Sequence, residues 1–256
     1  MPLVLALHGG GGEPRGMKRH TRFHRLAEKE GFLVAYPAGS ARNPRRRRIL
    51  NWNAGGRYWD IWPWLGEIDD VGFLCAVIDR VGRELPVDRK RVFVTGISAG
   101  AMMAYRLACE ASERIAAVAA VAGAQTTDSC RPAAPVAVLA MHGAVDENVP
   151  LAGGRGRLTA RGFSWPPVES GLEHWRKHNG CASEPVVRHP TPDATSQHYL
   201  PSNGPGEVEL CVIDGHGHGW PGTRKLLWQR LLKVPVNRSF PATEYIWDFF
   251  ARHPKP

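Results

Sequence analysis

Residues 92–100 read VFVTGISAG, and this stretch decides the fold. An apolar run of strand length leads into the G-x-S-x-G pentapeptide Gly96–Gly100, and a helical pattern follows it. A strand–turn–helix order of this kind projects the central serine, Ser98, from a tight and strained turn at the carboxyl edge of a sheet. The two glycines of the pentapeptide relieve crowding in that turn. The segment therefore predicts a nucleophilic serine in a parallel α/β fold.

Strand and helix patterns alternate along the rest of the chain. Nearly all-apolar strands between amphipathic helices indicate a mostly parallel sheet with helices on both faces. We expect one domain over residues 1–256, because the Gly- and Pro-rich segments 153–167 and 191–206 resemble surface insertions more than linkers. The predicted strands are residues 2–8, 32–36, 91–95, 115–122, 136–142 and 208–213, and the predicted helices are residues 17–30, 69–85, 99–110, 168–178 and 243–253.

The charge pattern excludes several classes of partner. The net charge of +9 arises from 33 Lys and Arg against 24 Asp and Glu, and 26 of these cations are Arg. They cluster only at Arg42 and at Arg45 to Arg48, outside any known nucleic-acid-binding motif. No apolar run approaches the length of about 18 residues that a membrane helix needs. We therefore expect neither a nucleic-acid partner nor a membrane span.

Five cysteines are present, and none forms a C-x-x-C pair. This spacing excludes zinc-ribbon and thioredoxin sites. Cys109 and Cys130 lie in segments that flank the strand at Ile115, and they are the first pair to consider for a disulfide.

A serine hydroxyl becomes a good nucleophile only when a general base accepts its proton. The glycine-rich loop that follows the strand 208–213 contains two candidates, of which His218 is preferred and His216 is the alternative. The acid is expected in the loop after the preceding predicted strand, where Asp146 stands. A buried carboxylate there would hold the imidazole tautomer and stabilise the imidazolium. An aspartate in such a loop also commonly caps a turn.

An acyl-transfer site also needs backbone N–H donors for the oxyanion. Ala99 supplies one donor, because it directly follows the serine. The glycine-rich loop 8–12 follows the first strand and supplies the other, with Gly10 preferred and Gly11 next. This loop lacks the Lys-Ser/Thr pair of a P-loop and the spacing of a dinucleotide fingerprint, so a phosphate site is not expected. The residues imply no metal and no organic cofactor.

Further segments carry a resemblance to a known family. The matching segments are residues 7–11 (LHGGG), 36–37 (YP), 52–56 (WNAGG), 69–74 (DDVGFL), 85–88 (LPVD), 96–109, 142–150 (HGxxDxxVP), 217–222 (GHxWPG) and 242–250 (ATxxIWxFF). They resemble the polyhydroxybutyrate-depolymerase-like esterases, a group similar to the feruloyl and acetylxylan esterases of the α/β-hydrolase fold. The resemblance implies Ser98, Asp146 and His218 as the catalytic triad. It selects His218 over His216, because the family places its histidine directly before an x-Trp-Pro-Gly turn.

The sequence departs from that family at its start. Relatives usually have a signal peptide and one or two strands before the His-Gly loop, whereas this chain starts at that strand. We therefore expect the N-terminal strands to be missing from the sheet. The resemblance implies an extracellular or periplasmic location, and the absence of a signal peptide in residues 1–8 leaves a cytoplasmic one open. Ala99 stands where relatives often have Asn, but its backbone donor is retained.

The leading interpretation is a serine carboxylic-ester hydrolase that works through an acyl-enzyme. The resemblance implies hydroxyalkanoate oligoesters or polyesters, or feruloyl and acetyl esters of plant polysaccharides, as substrates. Flat aromatic walls suit such substrates, and we expect Trp52, Asn53 and Trp220 to contact them. Tyr58, Trp59, Trp62 and Trp64 cluster in the same loop, where local packing is the preferred explanation for at least half of these aromatic residues. The alternatives are a hydrolase-fold binding protein with impaired catalysis and, less favoured, a serine peptidase.

Overall fold

One mixed β-sheet organises the chain. The computed structural model describes residues 1–43 and 49–256, apart from the side chains of Arg57 and Trp59. The predicted basic cluster of Arg45 to Arg48 therefore lies outside the described residues. The strands are β1 (Leu3–Leu7), β2 (Leu33–Ala35), β3 (Val92–Ile97), β4 (Ala117–Val121), β5 (Ala137–Gly143), β6 (Val186–Thr191), β7 (Ala194–Tyr199) and β8 (Val208–Ile213). They form a sheet in the order β2-β1-β3-β4-β5-β8-β7-β6.

The sheet is mostly parallel, as the sequence predicts. Strands β2, β1, β3, β4, β5 and β8 run in one direction, β7 is antiparallel to β8, and β6, which is antiparallel to β7, runs again in the direction of the main group. In β1 the side chains of Leu3 and Leu5 enter one core, and those of Val4 and Ala6 enter the other. Because both faces are covered, the central strands are apolar at nearly every position.

Helices cover both faces of the sheet, as expected. The helices are α1 (Pro14–Thr21), α2 (Phe23–Glu30), α3 (Asp70–Glu84), α4 (Ala99–Glu110), α5 (Val168–Asn179), α6 (Leu227–Leu231) and α7 (Ala242–Ala251), with short 3₁₀ turns at Gly56–Asp60 and Pro63–Leu65. The first core contains buried side chains of α3, α4 and α5, including Leu74, Met102 and Leu172. The opposite core contains buried side chains of α1, α2 and α7, including Met17 and Phe249. None of these helices is long and apolar enough to cross a membrane.

Two sequence predictions of secondary structure are wrong. The single helix expected over residues 17–30 is broken at Arg22, which adopts a left-handed φ of 59° and caps α1 with its N–H. The segment expected as a surface insertion after residue 191 contains β7, which pairs with β6 in an antiparallel hairpin. Strand β6 is exposed along almost its whole length, so its residues show no apolar alternation that would reveal it.

A disulfide bond joins Cys109 and Cys130, as considered from the sequence. Cys109 lies near the end of α4, and Cys130 lies in the loop that follows β4. The bond closes a loop with a sequence separation of 21 residues. It therefore ties α4, the helix that begins directly after Ser98, to the loop that follows β4.

We predict that the Cys109→Ser/Cys130→Ser double variant loses about 3 kcal/mol of unfolding free energy, because the open loop raises the entropy of the unfolded chain. Urea denaturation followed by circular dichroism would measure this change. Cys75→Ser is the matched control, since Cys75 is half-buried and free, and it should cost less than about 1 kcal/mol. Equal urea midpoints for the double variant and the unmodified protein would contradict the prediction.

Candidate active site

Four loops meet where parallel strands end at the carboxyl edge of the sheet. The loop 8–12 follows β1, Ser98 follows β3, Asp146 lies three residues after β5, and His218 lies five residues after β8. Because β1, β3, β4, β5 and β8 are neighbours and parallel, their carboxyl ends lie on one side of the sheet. The sheet topology thus gathers chemistry-bearing residues that are up to 210 positions apart in the chain.

The turn at Ser98 is strained, as the pentapeptide predicts. Ser98 has φ 56° and ψ −120°, a conformation that non-glycine residues rarely adopt. Its N–H donates to the carbonyl of Val121 on the neighbouring strand. A Cβ on Gly96 would lie 2.4 Å from the backbone of Gly100, and a Cβ on Gly100 would lie 2.4 Å from the carbonyl oxygen of Leu7. Gly96 is therefore required for the turn to pack against the start of the following helix, and Gly100 is required for that helix to approach β1.

Asp146 and His218 form a buried hydrogen-bonded pair. The Nδ1 of His218 lies 2.8 Å from Oδ2 of Asp146, and both side chains are almost fully buried. The other carboxylate oxygen, Oδ1, accepts hydrogen bonds from the backbone N–H groups of Asn148 and Val149 at 2.8 and 2.9 Å. The aspartate thus caps its own turn with one oxygen and orients the imidazole with the other.

The environment of Asp146 favours its ionised form. Burial by itself would raise the pKa of this carboxyl group, but the adjacent His218 ring and the backbone donors outweigh it and lower the pKa below its usual value. His142 lies on the other side of Oδ2, with its Nε2 3.6 Å away, and donates to the carbonyl of Val149. An ionised carboxylate at this position stabilises a positive charge on His218.

The alternative base, His216, and the acidic neighbour of Asp146, Glu147, are both bonded to other groups. Both ring nitrogens of His216 are hydrogen-bonded, Nδ1 to the N–H of Asn237 and Nε2 to the carbonyl of Gly219. Glu147 points away from the site and forms an exposed ion pair with Arg157 at 2.7 Å. This geometry leaves His218 and Asp146 as the pair available beside the serine.

Ser98 and His218 line one cavity, which has a volume of about 1560 Å³. Within residues 1–43 and 49–256, neither Ser98 Oγ nor His218 Nε2 has a hydrogen-bond partner. In unliganded enzymes the bond between nucleophile and base is often long and shortens only when substrate binds. The arrangement therefore presents a serine hydroxyl and an imidazole nitrogen to the same space.

The loop 8–12 places one of its two predicted donors beside the elbow. A Cβ on Gly10 would lie 3.6 Å from the Cβ of Ala99, so these two residues are neighbours. In the part of the chain that the structure describes, neither the Gly10 nor the Ala99 N–H is used in a backbone hydrogen bond. The expectation for Gly11 is wrong in this arrangement, because its N–H donates to the carbonyl of Leu50 at 2.8 Å.

A buried polar network supports the loop 8–12 from behind. The indole N–H of Trp52 donates to the carbonyl of His8 at 2.8 Å, and the two rings lie 4.9 Å apart. The hydroxyl of Tyr58 donates to Oδ1 of Asn51 at 2.8 Å. A Cβ on Gly10 would lie 3.4 Å from this hydroxyl and 3.3 Å from the amide oxygen, so both groups lie against the loop 8–12.

The predicted substrate contacts of Trp52, Asn53 and Trp220 are wrong. All three residues are buried, with exposed fractions of 0%, 2% and 0%, and none lines the cavity. The Asn53 side chain donates to the carbonyl of Ile68, and Trp220 donates to the hydroxyl of Thr243. These residues shape the loops from inside the protein.

Of the other predicted aromatic residues, Tyr58 is also buried, whereas Trp62 is 40% exposed. The side chain of Trp59 lies outside the described residues.

The cavity walls come from segments that sequence reasoning did not single out. Near His218 the wall is apolar, and the ring of Trp228 lies 6.2 Å from the His218 ring. The buried side chain of Gln229 donates to the carbonyl of His218 at 2.8 Å and so holds the histidine loop. The run of Leu and Trp over residues 226–232, shortly after the GHGHGW loop, is the signal that could have identified this wall. The leucines that line the cavity are Leu26, Leu158, Leu226 and Leu232.

A second group of buried titratable residues lies on β7 and at the start of β8. His198, Glu207 and Glu209 offer ligand atoms within 4.8 Å of one another, a set that could hold a metal ion. These side chains bind one another, with His198 Nδ1 2.6 Å from Glu207 Oε1 and its Nε2 bonded to the hydroxyl of Ser196. Tyr245 of α7 donates to Glu209. The cluster thus links the sheet to the last helix.

Comparison with known proteins agrees with this geometry. The family described as Esterase PHB depolymerase matches residues 1–153, more than half of the chain. The matched part contains the loop 8–12, the elbow at Ser98 and Asp146, and it ends before His218.

Two curated relatives match most of this chain. Feruloyl esterase B from Piromyces equi is 28% identical over 233 residues, which are 89% of this chain and 41% of that protein. Poly(3-hydroxyalkanoate) depolymerase C from Paucimonas lemoignei is 26% identical over 238 residues, 86% of this chain and 55% of that protein. The chain therefore spans about half of the length of these relatives.

Solved structures show the fold. The acetyl xylan esterase from Aspergillus awamori superimposes with a TM-score of 0.60 at 16% identity, over 91% of this chain and 87% of that one. The α/β-hydrolase fold expected from the sequence is confirmed.

We predict that Gly100→Ala lowers the unfolding free energy by about 3 kcal/mol or more, because the new methyl group overlaps backbone atoms of β1 that cannot move aside. Gly82→Ala in α3 is the control, since its Cβ would lie 3.5 Å from the flexible end of Arg89. That substitution should raise stability by about 0.5–1 kcal/mol. Urea denaturation measures both changes, and similar values for the two variants would refute the close approach.

Proposed function

The chain belongs to the Esterase PHB depolymerase family, and we propose that it hydrolyses carboxylic esters with Ser98 as nucleophile, His218 as general base and Asp146 as the orienting acid. The observation that carries this proposal is the 2.8 Å hydrogen bond between buried Asp146 and His218, which lines one cavity together with the strained Ser98. Residues 1–256 would then form one catalytic domain.

The first half of the reaction forms an acyl-enzyme. Ser98 Oγ attacks the ester carbonyl carbon while His218 Nε2 accepts the hydroxyl proton. Asp146 keeps the other ring nitrogen protonated, so Nε2 is free to act as a base, and its negative charge stabilises the imidazolium. The tetrahedral intermediate collapses when the C–O bond to the alcohol breaks and His218 returns the proton to the leaving oxygen.

Two backbone donors support the negative charge that develops on the carbonyl oxygen. The N–H groups of Ala99 and Gly10 are neighbours and are not used in backbone hydrogen bonds within the described residues. Donors that are already fixed in place need no reorganisation when charge develops, and each is worth several kcal/mol in such sites. In the second half, His218 activates a water molecule that attacks the acyl-enzyme and releases the acid.

The substrate class we propose is a hydroxyalkanoate oligoester or polyester, or a feruloyl or acetyl ester of plant polysaccharide. The names of the two curated relatives support the feruloyl and the hydroxyalkanoate parts of this range. The cavity of about 1560 Å³ exceeds the size of ordinary small-molecule pockets, so it can accept a chain longer than a single ester unit. Its apolar wall near His218, with Trp228 and Leu226, suits an acyl chain or an aromatic ring.

We also propose that the protein works in an oxidising compartment, outside the cell or in the periplasm. The Cys109–Cys130 disulfide supports this location, because such bonds form and persist in oxidising surroundings.

We predict that Ser98→Ala lowers kcat/KM for short-chain nitrophenyl esters by about a thousandfold or more, because the covalent step is lost. Circular dichroism of the variant should match that of the unmodified protein, which excludes misfolding as the cause. A fluorophosphonate probe should label the unmodified protein alone. A folded protein that neither turns over the esters nor reacts with the probe would favour a binding protein over an esterase.

We predict that Tyr58→Phe lowers kcat by about two- to tenfold with little change in KM, because the lost hydroxyl loosens Asn51 against the oxyanion loop. Its cost in stability should be about 1 kcal/mol, the usual value of one hydrogen bond. Tyr199→Phe is the matched control, since it also removes one hydroxyl bond but on β7. A rise in KM at constant kcat would show that Tyr58 acts on binding instead.

A further inference from the structure

An apolar segment lies exposed directly beside the catalytic cavity. Residues 224–233, which we name the mouth segment, read RKLLWQRLLK and include the short helix α6. Large exposed apolar side chains in a group mark an interaction site, whereas single ones need no explanation. The exposed fractions are 39% for Leu226, 72% for Leu227, 37% for Trp228, 72% for Leu231 and 43% for Leu232.

The mouth segment is attached to the reaction centre. Leu226, Trp228 and Leu232 line the cavity together with Ser98 and His218. Between them, Gln229 is buried and binds both the N–H of Leu226 and the carbonyl of His218. The segment thus has a buried polar side that holds the catalytic histidine loop and an apolar side that faces outwards at the cavity opening.

Unpaired cations surround this apolar side. Four belong to the mouth segment itself, Arg224, Lys225, Arg230 and Lys233. Four others line the cavity or its rim, Arg19, Arg22, Arg25 and Arg238. Among residues 1–43 and 49–256, none of these eight has a carboxylate within ion-pair distance. They create a positive field around the cavity opening.

Few groups oppose that field. The acidic residues that line the cavity are Glu13 and Glu244. His20, which bonds to the hydroxyl of Thr223, adds no charge near neutral pH, since burial and then the nearby Arg19 lower its pKa to about 4. The cationic character of the opening therefore persists across the neutral range.

We propose that the mouth segment docks the open side of the cavity onto an anionic lipid surface. Leucine and tryptophan side chains would enter the boundary between headgroups and acyl chains, and the surrounding Arg and Lys would contact the negative headgroups. This inference goes beyond the proposed hydrolysis and does not require it.

Other occupants explain only part of the surface. A soluble acidic polymer would use the cations but would leave Leu227 and Leu231 in water. A neutral polyester would bury the leucines but would not need the eight unpaired cations. A second copy in a twofold dimer would place this positive surface against itself, which costs electrostatic energy. An anionic lipid surface matches both the apolar side and its charged border.

The experiment is sedimentation of the Ser98→Ala variant with vesicles, so that hydrolysis does not alter the lipid. Vesicles of phosphatidylcholine alone are compared with an equal mixture of phosphatidylcholine and phosphatidylglycerol, at low and at high salt. We expect binding to the mixed vesicles to be about tenfold stronger than to phosphatidylcholine, and high salt to remove that difference.

Leu227→Ser/Leu231→Ser tests the apolar contribution. Both side chains are exposed and neither lines the cavity, so folding and turnover of a soluble nitrophenyl ester should be unchanged. Vesicle binding should fall by about tenfold or more. Val186→Ser/Val187→Ser on β6 is the matched control, with exposed fractions of 48% and 52%, and it should bind vesicles as before.

Three outcomes would overturn the proposal. The first is no binding to either vesicle. The second is equal binding to both vesicles without salt dependence, which indicates a neutral apolar partner. The third is a dimer in light scattering that the leucine double variant converts to a monomer, which assigns the segment to self-association. Failure of the esterase proposal is seen separately, in the soluble ester assay of the unmodified protein.

Discussion

Backbone contact between the start of α4 and the end of β1 sets the geometry on which the site depends. Gly100 allows this contact, because a methyl group there would lie 2.4 Å from the carbonyl oxygen of Leu7. Gly96 allows the turn before it, because a methyl group there would lie 2.4 Å from the backbone of Gly100. The contact brings Gly10 next to Ala99 and projects Ser98 at φ 56°. One constraint thus places the nucleophile and both proposed oxyanion donors at the same time.

The rest of the site is held by hydrogen bonds that leave little freedom to its polar groups. Asp146 uses one oxygen for its turn and the other for His218. Gln229 holds the His218 loop from the other side. Buried polar groups of this kind rigidify a site because breaking any one bond leaves its partner unsatisfied in a medium of low dielectric. The same logic explains the support of the loop 8–12 by Trp52 and Tyr58.

The cavity opening combines two properties that act on a partner in different ways. Five large apolar side chains of the mouth segment are exposed, and the eight Arg and Lys residues named above have no carboxylate within ion-pair distance among the described residues. Charges with no partner act at a distance, whereas exposed leucine acts only on contact. Approach and docking of a partner would therefore be governed by different residues of the same opening.

The sequence by itself determined the fold class and the residues gathered at the strand ends. Apolar strands, amphipathic helices and the G-x-S-x-G turn are local sequence patterns. They can be recognised in the sequence because the periodicity of a strand or a helix repeats within a few residues. The parallel sheet, the strained turn at Ser98 and the Cys109–Cys130 bond all agree with that reading. Asp146 and His218 were also expected from their places after strands.

Only the tertiary structure decided which groups are buried or already bonded. Trp52 is enclosed because it binds His8, 44 residues earlier in the chain, and Gly11 loses its donor to Leu50. Such contacts depend on segments far apart in sequence, so no local pattern reveals them. The helix expected over residues 17–30 is broken by one residue, Arg22, in a left-handed conformation. Arginine rarely adopts this conformation, so the sequence does not indicate the break. The sequence of the mouth segment does not indicate that its leucines are exposed, because exposure depends on how the segment packs at the cavity opening.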